Sequence, residues 1–384
     1  MNVPQEILEI ILKPHRDDRG TLKACALVSR VWLAASRVYL FESVDLGICM
    51  SEDWLSLLLT LPFGIGEFVR KAVFRNFHWS KTPSMGQMRV LSHFAASLTK
   101  LHFHNLVLSD FSNIVLVIST FHNLCSLSIN NVLWQSNTLD FGQPIPPHKT
   151  FPPFLSSTRL YYCDVGMILA WFLAHPSLPP LKTFYLGPIK ASWMGVLQPF
   201  YDRALGTIEE LGFIVPEVDA DPRSYYSYSG SPLDTEIEWE HPYCPHLKRI
   251  SDLFRGRHGF PIQPSKLPFR NLEIVRIHHF LLGQRKGMGI WLARMMMSLK
   301  GQFKGKVILD VDVDTVREID GLEVDWDFLD DIFVTDTFKD TEAIVFLVLT
   351  NVNILGLANF ISVRMPKASA RGLLVFLKAD ERPF

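Results

Sequence analysis

The chain has 384 residues, of which 48% are hydrophobic and 20% charged, with a formal net charge of −1. That composition excludes a disordered chain and is long enough for one large domain or two to three ordinary ones. A near-neutral balance gives no electrostatic reason to expect binding to nucleic acid or to an anionic membrane.

The cysteines, Cys25, Cys49, Cys125, Cys163 and Cys244, are odd in number and far apart, and no CxxC pair occurs. Neither a disulfide framework nor a zinc module is expected, and a reducing compartment, cytoplasmic or nuclear, fits best. The opening MNVPQEILEI lacks the basic leader and apolar run of a secretory signal.

In chain order, the first 46 residues have helical spacing. PQEILEIIL places Pro4 in a first turn with Ile7, Leu8, Ile11 and Leu12 recurring behind it. Pro14 and HRDDRG end that segment in a polar turn. TLKACALVSRVWLAAS, residues 21–36, then predicts a helix of about four turns with Thr21 as its N-cap. Its apolar residues spread around the whole helix, so more than one face requires cover. Residues 47–64 are expected to be a helical linker.

From about residue 50 the rhythm changes, and the repeat-like domain is expected to begin at residue 65. VRKAVFRNF from Val69, LTKLHFHNL from Leu98 and LCSLSINNV from Leu124 share apolar residues at the first, fourth and sixth positions. Each also carries an asparagine at the eighth: Asn76, Asn105 and Asn131. Weaker copies start at Leu155, Leu181, Ile208, Leu247 and Leu272, and helical stretches fill the intervals. Units of strand plus helix that cannot bury their apolar faces alone stack into a curved solenoid with a parallel sheet. An α/β domain with a mostly parallel sheet that is not a solenoid is the other reading of the same pattern.

Long aperiodic loops are expected at 135–156 and 215–246. The second is rich in acid and in Tyr225, Tyr226, Tyr228, Trp239 and Tyr243, residue types that bury much area with few rotors, making them candidates for target binding. The pattern does not organise residues 321–384, which are expected to pack on the end of the solenoid. Within them, the uncharged run 343–363 has membrane-spanning length, but its asparagines and β-branched first half point to two buried strands, or a strand and a helix.

Chemistry-bearing motifs are sparse. His102 and His104 share a strand face without a third ligand and read as an exposed pair. Asp310, Asp312 and Asp314 share another face and, lacking the turn of a calcium loop, read as solvated. DWDFLDD at 325–331 offers paired carboxylates, or an acidic turn or helix start. There is no nucleophile elbow, P-loop, dinucleotide fingerprint or HExxH. No catalytic residue, metal or cofactor is therefore assigned.

The N-terminus carries the most specific pattern. Pro4, Glu6, Ile7 and Leu8, then Leu22, Val28, Ser29, Arg30 and Trp32, then Leu40 and Phe41 follow the order and spacing of an F-box. The segment resembles the F-box proteins of mushroom-forming fungi, many of which carry degenerate leucine-rich repeats; Val3 in place of the usual leucine and Pro14 in the first helix depart from the pattern. The strand pieces, in turn, loosely resemble the leucine-rich repeat over about residues 65–315, with Phe, Ile and Val often standing for Leu.

These resemblances imply three short helices at 1–46 docking a Skp-type adaptor, which bridges to a cullin–RING ubiquitin ligase, and a repeat domain at 65–320 holding a protein target. The implied adaptor contacts are Pro4, Ile7, Leu8, Ile11, Leu22, Ala26, Val28, Ser29 and Trp32, some packing internally and some on the partner. The alternatives are an F-box scaffold outside any ligase, and an α/β enzyme with its site in the long loops.

Overall fold

The computed structural model describes residues 4–46, 65–79, 85–134, 150–187, 194–204, 206–214, 272–280, 303–311, 326–335, 338–350 and 352–379. The expected linker at 47–64, the loop 215–246, most of the loop at 135–156 and the repeat copy at Leu247 lie outside them. The chain divides into two compact units, Met1–Pro180 and Leu181–Phe384.

The first unit opens with helices α1 (Gln5–Leu12), α2 (Arg19–Ala26) and α3 (Arg30–Leu40), with a 3-10 turn at Lys13–His15 around Pro14. These helices depart from the sequence expectation in two places. Residues 21–36 are not one helix: Ser29 is extended at φ −164°, and its side chain accepts a hydrogen bond from Trp32 N at 3.4 Å, capping a new helix. A serine offers the backbone this alternative to a continuing helix. The N-cap of α2 is Asp18, not Thr21. Asp18 accepts from Thr21 N at 3.1 Å and from Thr21 Oγ1 at 2.6 Å, and these bonds hold its carboxyl below the usual range.

Strand β1 (Ser43–Asp45) and the one-turn helix α4 (Ile65–Phe68) lead into the array: β2 (Lys71–Trp79), α5 (Met85–His93), β3 (Lys100–Leu108), α6 (Phe111–Thr120), β4 (Ser126–Trp134), β5 (Ser157–Cys163) and α7 (Val165–Leu173). Within this unit, β1 pairs in parallel with β2, β2 with β3, β3 with β4 and β4 with β5. The apolar positions of the sequence repeat become in-register buried columns. Val69, Leu98, Leu124 and Leu155 form one, and Phe74, Phe103, Ile129 and Leu160 another, all fully buried. Phe74 and Phe103 stack at 5.2 Å between ring centres.

The asparagines of the repeat have a backbone role. Asn76, Asn105 and Asn131 have φ of 55°, 53° and 52°, and Tyr162 continues the column at 48°. At this point the alternation slips by one residue: Phe103 is buried, His104 and Asn105 face outward, and Leu106 is buried again. The strand bends while both halves keep their apolar residues on one side. Positive φ is sterically costly for most L-residues, and asparagine tolerates it best after glycine. The side chains also form a ladder, with Asn131 Nδ2 donating to Asn105 Oδ1 at 2.8 Å and Asn105 Nδ2 to Asn76 Oδ1 at 3.1 Å.

The second unit contains β6 (Thr183–Gly187), α8 (Met194–Ala204), β7 (Glu210–Ile214), β8 (Ile274–Phe280), β9 (Lys306–Val311), α9 (Trp326–Phe333), β10 (Ala343–Val348), α10 (Ile354–Arg364), α11 (Pro366–Ala370) and β11 (Leu374–Lys378). Its strands also pair in parallel in chain order. On the helix-covered side, Phe184 of β6 meets Phe200 of α8 at 4.8 Å. On the other, Ile308, Ala343, Val345 and Leu347 form a second apolar cluster. The uncharged run 343–363 is thus a strand buried on both faces followed by a helix, and Asn353 caps that helix by accepting from Leu355 N and Gly356 N at 3.1 and 3.3 Å. Among the described residues, no helix is long and apolar enough to cross a membrane.

The fold class is therefore mixed α/β with parallel strands. Asp310 corrects another expectation: it is buried, not solvated. Arg276 grips it in fork fashion, Nε to Oδ1 at 3.1 Å and Nη2 to Oδ2 at 3.1 Å. Burial alone disfavours the guanidinium charge, but Asp310 and Tyr185 offset this and leave Arg276 above its ordinary pKa. Tyr185 lies over Gly212, where an added Cβ would come within 2.0 Å of its ring, and donates to Glu210. Asp312 and Asp314 lie outside the described residues.

Replacing Asn105 separates its two roles. Asn105→Ala loses both the ladder bonds and the tolerance of positive φ and is expected to cost about 2 kcal/mol, whereas Asn105→Gly loses only the bonds and costs about 1 kcal/mol. Urea unfolding midpoints of the full chain check the order.

A candidate helical docking site

The first three helices form a small core of their own. Leu8, Leu12, Leu22 and Ala35 are buried together, with Cys25, Trp32, Tyr39 and Leu40 partly buried against them. Helices α1 and α2 both pack on α3. Tyr39 Oη donates to the carbonyl of Glu9 at 3.2 Å, tying α3 to α1, and Arg19 Nη2 donates to the carbonyl of Ser43 at 3.1 Å. Burial, followed by the charges of Glu9 and Glu42, raises the Tyr39 pKa and keeps the phenol a donor.

What remains outside is equally apolar. On α1, Ile7, Ile10 and Ile11 are 46%, 67% and 45% exposed. Their i, i+3, i+4 spacing puts them on one helical face, to the side of the inward pair Leu8 and Leu12. At the α2–α3 junction, Leu27, Val28 and Val31 are 89%, 66% and 44% exposed. Six of the ten large apolar side chains that stand exposed among the described residues thus fall between residues 7 and 31. Scattered surface hydrophobics are ordinary, whereas such a concentration on a short folded segment makes it a candidate docking site.

The structure sorts the residues singled out in the sequence into two groups. Leu8 and Leu22 are fully buried, and Trp32 packs on the same core. Ala26 is half-buried, while Pro4, Ile7, Ile11, Val28 and Ser29 are exposed, Pro4 at the N-cap of α1 and Ser29 at the N-cap of α3. Sequence reasoning missed Ile10, Leu27 and Val31. Ile10 was available from its spacing to Ile7. For Leu27 and Val31, the signal was the surplus of apolar faces between residues 21 and 36.

His102 and His104 do share a face, but they are half-buried rather than exposed. Desolvation, then the charges of Lys71, Arg159 and Lys100, lower the pKa of His102 to about 4. His104 is lowered by desolvation and Arg75. Within 325–331, Asp330 is buried and accepts from Lys367 N and Ala368 N at 2.9 and 2.8 Å, while Asp331 pairs with Lys367. Both carboxylates are thus committed to the start of α11. Among the described residues, no three His, Cys, Asp or Glu side chains gather as a metal site. Tyr225, Tyr226, Tyr228, Trp239 and Tyr243 lie outside the described residues.

No protein-family model matches the chain, and none of the curated proteins gives a significant match.

The inner and outer groups should respond differently to substitution. Leu8→Ala empties part of a four-residue core and is expected to cost about 3 kcal/mol, accelerating hydrogen exchange through α1–α3. Val28→Ser removes exposed surface only and should leave exchange there within about 0.5 kcal/mol of wild type.

Proposed function

We propose that this chain is the substrate-recognition subunit of a Skp–cullin–F-box ubiquitin ligase. Residues 1–46 act as the F-box that docks a Skp-type adaptor, and the strand–helix array from residue 65 acts as a degenerate leucine-rich-repeat domain that holds a protein target. The chain is non-catalytic in this reading, because ubiquitin transfer resides in other subunits of the ligase.

One observation carries the proposal: the apolar surface concentrated on α1 and the α2–α3 junction of a helical unit that already has a core. Leu8, Leu22 and Trp32 of the motif hold the unit together, which leaves Ile7, Ile10, Ile11, Leu27, Val28 and Val31 for a partner. Burying such side chains in an adaptor stabilises a complex by about 1–3 kcal/mol each before association costs. Inserting an apolar helix face into a partner's helical groove is a common mode of recognition. The in-register apolar columns and the asparagine bends support the repeat reading downstream.

Co-expression with a Skp-type adaptor tests this directly. Wild-type chain is expected to co-purify with adaptor and cullin. The double variant Leu27→Asp/Val28→Asp should lose at least about a hundredfold in adaptor affinity, the size of loss expected when a buried apolar centre is charged, while keeping its circular dichroism. Wild-type protein that fails to bind the adaptor contradicts the reading. Adaptor without cullin points instead to a scaffold outside the ligase.

A further inference from the structure

The strands of the first unit present two unlike faces. One is the apolar core of Ala72, Phe74, Leu101, Phe103, Leu127 and Ile129. The other is polar apart from the buried Val73, and the parallel register arranges it as a grid. Lys71, Lys100, Ser126 and Ser157 are aligned across β2–β5, as are Val73, His102, Ser128 and Arg159, and then Arg75, His104, Asn130 and Tyr161. Strands lie about 4.8 Å apart and alternate residues about 6.7 Å apart, so the whole grid is within reach of one short peptide.

Its charge is one-sided. The five strands carry four fixed cations, Lys71, Arg75, Lys100 and Arg159, and one carboxylate, Asp45, in a chain with 38 basic and 39 acidic residues. Asp45 is already engaged by Arg75 at 2.7 Å. The two arginines stand on strands β2 and β5, at different levels of the grid, so they do not form the paired fork that grips a single phosphate. Lysine and imidazole point charges spread over a sheet suit a string of carboxylates instead.

We propose that the polar face of β2–β5 is a docking surface for an acidic, Asp/Glu-rich protein segment, with His102 and His104 making its affinity rise as pH falls. In the free protein, burial and the flanking cations Lys71, Lys100, Arg159 and Arg75 keep both imidazoles neutral at pH 7. An anionic segment laid across them favours the imidazolium form, so binding takes up protons and tightens with acidification. The grid is a place where chemistry and register, rather than a pocket, select the ligand. In the ligase reading this segment belongs to the target. Because binding to the grid needs no adaptor, failure here and failure of the adaptor interaction are separately visible.

Fluorescence anisotropy of the full chain with a labelled deca-glutamate peptide tests the proposal, with deca-glutamine and a single-stranded oligothymidylate of equal charge as comparisons. Deca-glutamate is expected to bind in preference to both, and to gain at least about threefold in affinity between pH 7.5 and 5.5. Lys71→Glu/Lys100→Glu should lose about tenfold at pH 7.5, and the milder Lys100→Gln a smaller, same-signed amount should the double variant not fold. His102→Gln/His104→Gln should keep the pH 7.5 affinity and lose the pH dependence. Absence of deca-glutamate binding, tighter binding of the oligothymidylate, or a pH dependence that survives the histidine replacement would each overturn it.

Discussion

The array of the first unit depends on one backbone constraint repeated in register: a residue at positive φ in the middle of each strand. Asn76, Asn105, Asn131 and Tyr162 bend β2–β5 at the same level, and in β3–β5 the two outward residues at the bend restore the apolar alternation on the far side. Without the bend, the second halves of β3, β4 and β5 would turn Leu106, Val132 and Cys163 toward the wrong face. The asparagine amides then link neighbouring bends through side-chain hydrogen bonds, so the element that permits the conformation also fixes its register. The polar grid follows from the same register, since aligned strands bring Lys71 beside Lys100 and His102 beside Ser128.

The N-terminal helices solve a different problem. A segment of about forty residues cannot bury many side chains, and this one spends Leu8, Leu12, Leu22 and Ala35 on holding three helices together. The remaining isoleucines, leucine and valines stay outside, at a cost in solubility that an occupied partner surface would offset. Among the described residues these side chains stand exposed, as the proposed docking role requires and an ordinary helical cap does not.

Much of this was legible from residue order. The strand starts at Val69, Leu98 and Leu124 show because their apolar spacing repeats, and the bend shows as the asparagine of each repeat. At β5 the bend persists while the asparagine is replaced by Tyr162, so the sequence signal ends one strand before the geometry does. Residues 321–384 resisted reading because β10 is buried on both faces and has no alternation to detect. The break at Ser29 was missed because no glycine or proline marks it. Asp310 was misread because its partner, Arg276, is 34 residues away in sequence and only the sheet register brings the two together. The division of the motif into inward Leu8 and Leu22 and outward Ile7 and Val28 was equally beyond sequence, since both groups are apolar and helical.

In the proposed function, the exposed apolar surface of α1 and the α2–α3 junction is the face that binds an adaptor. Hydrogen–deuterium exchange of the full chain, alone and with a saturating Skp-type adaptor, tests it most directly. Slower exchange is expected in peptides covering residues 5–12 and 24–33, with β2–β5 unchanged. Unchanged exchange in both helical segments, or protection confined to the strands, would contradict it.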